Sequence, residues 1–517
     1  MTFEIVFVLL SLLGMVAALI ADKMRPGMIL FSVVVLFLCA GILTPKEMLE
    51  GFSNKGMITV ALLFLVSEGI RQSGTLGQVI KKLLPQGKTT VFKAQLRILP
   101  SVAFISAFLN NTPVVVIFAP IIKHWAKSVN LPATKFLIPL SYVTILGGIC
   151  TLIGTSTNLV VHGMILEAGF EGFSMFELGK VGVFIAIAGI IYIFLFSKRL
   201  LPDARPDTAV PDEEIEEGEK FHRVEAVLGA RFPGINKKLK DFNFQRHYGA
   251  EVKEIKTRNG QRFVTNLDDV VLHEGDTLVV MADDTFIPTW GESSVFVLLT
   301  NGNEPDTSGK KKRWFALLLL VLMIVGATVG ELPVTKEMFP DIKLDMFFFV
   351  SITTIIMAWT NLFPARKYTK YISWDILITI ACAFAISKAM VNSGVADCVA
   401  KFIIGLSDDY GPHVLLAMLF IITNLFTELI TNNAAAALAF PLALSISAQM
   451  GVSPTPFFVV ICMAASASFS TPIGYQTNLI VQGIGNYKFT DFVRIGLPLN
   501  IITFLISVIL IPLIWNF

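Results

Sequence analysis

The sequence predicts an all-α polytopic membrane protein. It reads as an inverted repeat of two five-crossing halves, each with a re-entrant hairpin, and a small α/β soluble insert between them. Three observations predict this. The 517-residue chain is 54% hydrophobic and only 15% charged, more apolar side chain than a soluble globule buries. Two hydrophobic segments break at related polar motifs, "GTSTNLV" (154–160) and "STPIGYQTNLI" (470–480). A further pair, "FLNNTPVVVIFAP" (108–120) and "LITNNAAAALAFP" (429–441), repeats at an offset of 321, with Asn111 on Asn432 and Pro120 on Pro441.

About 20 helical residues cross roughly 30 Å of hydrocarbon, and residues 3–20, 27–43, 56–70, 178–197, 314–330, 346–363, 373–390 and 492–514 have that character. The first run lacks a basic leader and a small-residue cleavage site, so it is expected to stay as a transmembrane helix. The partner of these surfaces is the lipid bilayer of a cell membrane, plasma or inner. The five cysteines are isolated and show no CxxC spacing, which suggests neither a metal site nor a disulfide framework. A net charge of +2 gives no reason to expect a nucleic-acid partner.

The hydrophobic pattern divides the chain into a first membrane repeat (1–201), a soluble domain with its linkers (202–311) and a second membrane repeat (312–517). Inside the domain, "HRVEAVL" and "DTLVVMA" read as strands, "NKKLKDFNF" as a helix, and "RNG" and "HEGD" as turns.

Each half reads as three spanning helices, a segment with a polar centre (about 92–127 and 411–448), a broken helix (about 134–167 and 455–483) and a last span. The repeat shift carries 56–70 onto 377–391 and 178–197 onto 499–517. The arms flanking Asn110-Asn111-Thr112 look too short to span, so the segment reads as a hairpin without net crossing. Five crossings are then left per half, and an odd number turns the second copy upside down, as in many secondary transporters. Basic residues agree: with both termini outside, Lys23, Arg25, Arg71, Lys81, Lys82, Lys88, Lys123, Lys127, Lys198, Arg199, the run 310–313, Arg366, Lys367, Lys370, Lys488 and Arg494 all fall inside. Acids such as Glu167, Glu171, Glu177, Asp408 and Asp409 fall outside, which places the insert in the cytoplasm.

Unwound backbone at membrane depth leaves polar groups unpaired at several kcal/mol each, so it is tolerated where it lines a protein cavity or binds something. Four such breaks are expected, at Asn110 to Thr112, Gly154 to Asn158, Thr431 to Asn433 and Gly474 to Asn478. Helix N-termini aimed at a common centre carry about half a positive charge each and attract an anion. Freed carbonyls with Ser, Thr and Asn oxygens suit a hard monovalent cation such as sodium. Polar residues that merely cap or pack helices would give one such break; four, paired by internal symmetry, favour a midplane ligand site.

At these residues the chain resembles the sodium-coupled divalent-anion symporter family, the sodium/sulfate and sodium/dicarboxylate carriers. That family places a Ser-Asn-Thr triplet at each hairpin tip and a Gly-x-Pro-Pro-Asn-like loop about 45 residues later. The corresponding segments are Asn110-Asn111-Thr112 with Gly154 to Asn158, and Thr431-Asn432-Asn433 with Gly474 to Asn478. The resemblance implies a first sodium site from Ser106, Asn110, Asn111 and Gly154, and a second from Thr427, Thr431, Asn432 and Gly474. It implies that Asn111, Thr112, Thr155, Asn432, Asn433 and Tyr475 face the anion, and that the protein is a homodimer. Serine is replaced by Asn110 and Thr431, the second threonine by Asn433, and both Pro-Pro pairs are lost. These departures leave sodium coordination feasible and weaken the case for a carboxylate. The insert is similar to the TrkA-C regulatory domain through "FHRVEAVLGARFPGINKKLKDFNFQRHYGAEVKEIKTRNGQ" and "HEGDTLVVMADD", in one copy where relatives often carry two. Such an insert implies a small regulatory ligand and the sulfate-type branch, which includes proteins labelled for the response to sulfur deprivation.

Glu428, at membrane depth, is a candidate for a coupling role or a structural hydrogen bond beside Thr427; Glu68 is expected to reach the interface near Arg71. Tyr475 in "TPIGYQ" does not make a potassium filter, which needs carbonyl rings from four repeats. The sequence therefore predicts no enzyme but a carrier that moves a small divalent anion, sulfate or thiosulfate, with sodium ions by alternating access. The alternatives are a dicarboxylate or arsenite/metalloid carrier, or a membrane sulfur sensor.

Overall fold

The computed structural model describes residues 3–21, 24–203, 221–229, 232–257, 261–283, 286, 290, 295–300, 310–339, 342–406 and 411–517. Lys23, Asp408, Asp409, the acidic linker and the "RNG" turn lie outside these residues.

The first half contains α1 (Phe3–Ala21), α2 (Pro26–Cys39), α3 (Lys55–Gln72), the hairpin α4 (Val91–Ser106) and α5 (Asn111–Ser128), the broken helix α6 (Leu137–Gly148) and α7 (Ser156–Glu167), and α8 (Gly179–Leu200). The second repeats that order: α9 (Lys310–Gly330), α10 (Met346–Trp359), α11 (Trp374–Asn392), α12 (Gly411–Leu429) with α13 (Asn432–Met450), α14 (Thr455–Ser466) with α15 (Gln476–Gly485), and α16 (Phe489–Ile514). Buried polar hairpins and broken helices form the centre, while helices such as α1 and α8 expose Leu10, Leu13, Phe184 and Leu195 on their outer faces. That inside-out polarity is what a bilayer solvent requires. Glu68 accepts from Arg71 at 2.7 and 2.8 Å.

The hairpins return to the side from which they start. Trp125, near the end of α5, donates its indole N–H to the carbonyl of Pro85, just ahead of α4, at 2.9 Å. In the second half, Phe517 packs against both His413 at the start of α12 and Phe457 at the start of α14. The expectation that the arms are too short to span does not hold: α12 and α13 each have 19 residues, or about 28 Å of helix. What makes them hairpins is the turn at Ile430–Thr431 and the packing of one arm on the other, not their length. The hairpin breaks are also narrower than expected, since Asn111, Thr112, Asn432 and Asn433 sit in the first turns of α5 and α13.

The two halves are inverted. Trp515, at the end of α16, donates to Glu177, just before α8, and Tyr192 near the other end of α8 donates to the carbonyl of Ile495, so α8 and α16 run antiparallel. Each hairpin base lies by the C-terminal end of its own half's last helix, and the bases therefore face opposite sides. The register of that last helix differs from the sequence reading. Gly182 is pressed against the carbonyl of Ile149, and Gly496 against that of Phe469, which fixes a shift of 314 for this helix. The connection before α8 (168–178) is longer than the one before α16 (486–488), and that absorbs the difference.

The insert is a five-stranded antiparallel sheet in the order β3-β2-β4-β1-β5, with β1 Phe221–Leu228, β2 Glu251–Lys256, β3 Arg262–Phe263, β4 Thr277–Asp283 and β5 Phe296–Thr300. The segment 236–244 is not the expected helix. Asn236 is left-handed (φ 61°), Lys238 bridges to Val271, Leu239–Asp241 form a single 3-10 turn, and a short helix starts at Phe244. Three lysines in "NKKLKD" leave Leu239, Phe242 and Phe244 to turn inward separately. The "HEGD" turn holds, with Gly275 at φ 85°. Lys310 to Arg313 form the first turn of α9 rather than a loop.

The sheet is seated on the membrane helices. A side chain at Gly483 of α15 would meet the Thr277 hydroxyl at 2.6 Å. Glu225 of β1 accepts from Lys123 of α5 at 2.9 Å and pairs with Lys256 at 3.4 Å. Burial alone would raise the Glu225 carboxyl, but the two ammonium groups outweigh it and hold it at about 2. Because the folded value lies below the ordinary 4.5, this contact contributes fully above that value and is lost as pH falls from about 4.5 towards about 2.

Two outcomes follow. A Gly483→Cys, Thr277→Cys protein should form a disulfide under mild oxidation, detected by non-reducing peptide mass spectrometry; two free thiols would mean the insert is not seated there. The drop in melting temperature between pH 4.5 and pH 2 should be smaller in Glu225→Gln than in the unchanged protein.

Candidate functional site

The two broken helices are closed by the same hydrogen bonds. In the first half the Asn158 amide donates to the carbonyls of Thr151 at 2.9 Å and Gly148 at 3.5 Å. In the second, Asn478 donates to Thr471 at 3.2 Å and Ser468 at 2.9 Å. Thr151 and Thr471 in turn donate to the last carbonyls of their hairpins' first arms, at Ala107 and Glu428, and accept from the N–H of Gly154 and Gly474. Ser106 donates to Asn111 at 2.8 Å, as Thr427 does to Asn432 at 2.7 Å. Carbonyls freed by unwinding thus find side-chain donors, which the apolar surroundings demand.

The residues expected to face the anion meet between the repeats. Asn111 donates to the Tyr475 hydroxyl at 2.7 Å, and Thr155 lies 3.0 Å from the same oxygen. Thr112 approaches Gln476 at 3.4 Å. Asn433 accepts from Ser156 and Thr157, each at 3.3 Å, and its neighbour Asn432 is held by Thr427. These contacts of Asn111, Thr112, Thr155 and Asn433 each join a residue of one half to a residue of the other. Four helices, α5, α7, α13 and α15, begin in this region, and no lysine or arginine lies in their first turns or in the breaks before them, so their free N–H groups supply the positive potential.

Of the expected cation ligands, Ser106, Asn111 and Gly154 lie together, as do Thr427, Asn432 and Gly474. Gly154 is packed against the Gly148 carbonyl, and Gly474 against Ser468 and the Thr427 carbonyl, too close for a side chain. Thr431 keeps a buried hydroxyl without a partner. Asn110 instead lines a small cavity with Ser67, Ser156 and Met323, apart from Asn111.

The sequence reading did not single out Thr151 and Thr471, although both stand at the repeat offset of 320 and could have been found there. Ser141 gave no signal. It lies on a mostly apolar helix, donates to the Asn478 side-chain oxygen at 2.6 Å and lies 2.9 Å from the Thr477 hydroxyl, tying α6 to the opposite half. Lys135 was also missed. Buried at 3% exposure, it donates to the carbonyl of Lys198 at 2.8 Å and to that of Leu201, and pairs with Asp203, which holds a cation at the C-terminal end of α8.

Comparison with known proteins agrees with this architecture. A family model described as "Citrate transporter" matches residues 16–452 and 342–517. An uncharacterized transporter of Synechocystis sp. is 30% identical over 94% of this chain and 93% of its own length. Sodium/sulfate cotransporter 2 of Chlamydomonas reinhardtii is 31% identical over 54% of this chain and 31% of that protein. A sodium-dependent dicarboxylate transporter of Staphylococcus saprophyticus is 25% identical over 28% of each chain. With two inverted halves, paired broken helices and these matches, the chain belongs to the citrate transporter family among the divalent-anion symporters, and it is a membrane transporter, not an enzyme.

Proposed function

We propose that the protein is a sodium-coupled symporter of a divalent oxyanion, sulfate or thiosulfate, working by alternating access. The observation that carries this reading is the meeting of Asn111, Thr155, Tyr475 and Asn433 between the repeats, at four helix N-termini whose breaks contain no lysine or arginine. Amide and hydroxyl donors suit a fully deprotonated tetrahedral anion with four equivalent acceptors. A protonated phosphate would bring a donor to a site made mostly of donors. Losing one such hydrogen bond costs about 1–3 kcal/mol, or roughly ten- to a hundredfold in affinity.

Ser106, Asn110, Asn111 and Gly154 form the first sodium site in this reading, and Thr427, Thr431, Asn432 and Gly474 the second. Thr112, Asn432 and Asn433 complete the anion site. The sodium/sulfate cotransporter among the relatives supports sulfate. The dicarboxylate transporter and the family description favour a second reading, a di- or tricarboxylate substrate.

The sheet at 221–300 is the cytoplasmic, TrkA-C-like regulatory domain of this reading, with both termini outside and a homodimer as the working unit. Its support is positional: the insert touches α5 and α15 at the ends opposite to Asn111 and Gln476. Holding or releasing those ends, with or without a small ligand, would change how readily the site opens.

In proteoliposomes, radiolabelled sulfate should accumulate with an inward sodium gradient and not when choline replaces sodium. Unchanged uptake driven by a proton gradient alone would sink the sodium assignment. Selenate and thiosulfate should compete well and phosphate poorly, and strong competition by succinate or citrate would select the second reading. Asn111→Ala and Asn432→Ala should each remove transport while the protein stays folded. Full activity in both would place the anion elsewhere. Replacing 206–306 by a short flexible linker should leave a folded carrier with an altered rate.

A further inference from the structure

The two halves follow the same plan at the helix breaks, and one cluster of side chains departs from it by adding an ionisable group. Glu428 closes the first arm of the second hairpin, at the position that Ala107 occupies in the first. Its Oε1 accepts the N–H of Ser470 at 2.8 Å and the amide of Asn500 at 2.7 Å. That amide also donates to the Ser470 hydroxyl at 2.8 Å. At the shift of 320 that relates the loops, Ser470 corresponds to Cys150; at the shift of 314 fixed by Gly182 and Gly496, Asn500 corresponds to Ala186. The first half therefore builds the same loop, hairpin and closing helix with Ala107, Cys150 and Ala186. The architecture does not need a carboxyl, a hydroxyl and an amide at these places.

Placing them there is costly. The other carboxyl oxygen of Glu428 is buried without a hydrogen-bond partner, and so is the side-chain oxygen of Asn500, a residue only 6% exposed. Among the described residues no lysine or arginine forms an ion pair with Glu428. A buried acceptor left alone is destabilising, and more so if charged. Two unmatched hard oxygens in one cluster, with a hydroxyl beside them, call for a positive ion. Oxygen ligands without sulfur or imidazole suit an alkali cation. The Thr427 hydroxyl meets Asn432 and the carbonyl of Ala465, and neither contact involves the side chains of Glu428, Ser470 or Asn500, so this cluster uses other ligands than the sodium site to which Thr427 and Asn432 belong.

We propose that Glu428, Asn500 and Ser470 form an additional sodium site, present in the second half only. It rests on the reading of the protein as sodium-coupled. Its ion carries the charge that the carboxyl brings into the membrane, and it ties the second hairpin to α16 through Asn500. Because Ser470 lies within the loop that ends at Tyr475, filling the site holds that loop in place for the anion.

The test is binding of radioactive sodium to the purified full-length protein in detergent, with sodium-induced thermal stabilisation as a second readout. Glu428→Gln and Asn500→Ala should each lose one bound sodium per chain, or raise its half-saturating concentration at least tenfold. Ser106→Ala, in the other half, should leave that component in place. Wild-type counts and affinities in both Glu428→Gln and Asn500→Ala would overturn the site, leaving the cluster a structural one. If Glu428→Gln does not fold, Asn500→Ala decides alone, since an exchange to alanine matches what the first half carries at Ala186. Absence of saturable sodium binding in the unchanged protein would overturn sodium coupling as a whole, a result distinct from loss confined to these two variants.

Discussion

The structure depends on how backbone groups are satisfied where helices stop inside the hydrocarbon. Asn158 and Asn478 do this in the same way, each turning its amide back onto two carbonyls of the segment that has just unwound. Without those donors the loops at 149–155 and 467–475 would hold bare carbonyls in an apolar core, where each costs several kcal/mol. The threonines at 151 and 471 extend the arrangement to the hairpins, so that loop and hairpin tip are fixed relative to one another. The free N–H groups of α5, α7, α13 and α15 are then held in one region instead of dispersing.

This placement sets what the interface between halves can do. Inverted halves bring the N-termini of helices from both copies together, and contacts such as Asn111 with Tyr475 and Thr157 with Asn433 cross from one to the other. A ligand bound there touches both halves, and relative movement of the halves alters its surroundings. The Ser141 contacts with Thr477 and Asn478 and the antiparallel α8 and α16 fix the pair outside the site. The insert grips the far ends of α5 and α15, one helix from each half, so the ends that carry binding residues and the ends that meet the sheet belong to the same rigid rods.

Symmetry makes the exceptions informative. Residues that follow the repeat are explained by the fold, because two copies of one plan need the same caps, glycines and turns. Glu428, Ser470 and Asn500 break the plan with polar groups where the other copy has Ala107, Cys150 and Ala186. Tyr475 breaks it too, standing where the first copy has Thr155, and its hydroxyl reaches Asn111 and Thr155 in that first copy. The differing residues gather around the second half's loop, with Ser470 and Tyr475 in it and Glu428 and Asn500 packed on it from α12 and α16.

The sequence alone determined the membrane class, the helix order and the paired breaks, because these follow from local properties: apolar runs as long as a bilayer is thick, and polar triplets repeated at a constant offset. It also marked Asn111, Asn432, Gly154 and Gly474, since a repeat exposes what both copies require. Tertiary structure decided what depends on approach between distant segments. Hairpin arms such as α12 are long enough to span, and only packing turns them back. The register of the last helix slipped from 321 to 314 because a loop insertion leaves no periodic trace, whereas Gly182 and Gly496 record it by contact. Asn500 is, in the sequence, one polar residue inside an apolar span. Its meaning comes from lying beside Glu428 and Ser470, residues 72 and 30 positions away in the chain, and no local pattern encodes a contact at that separation.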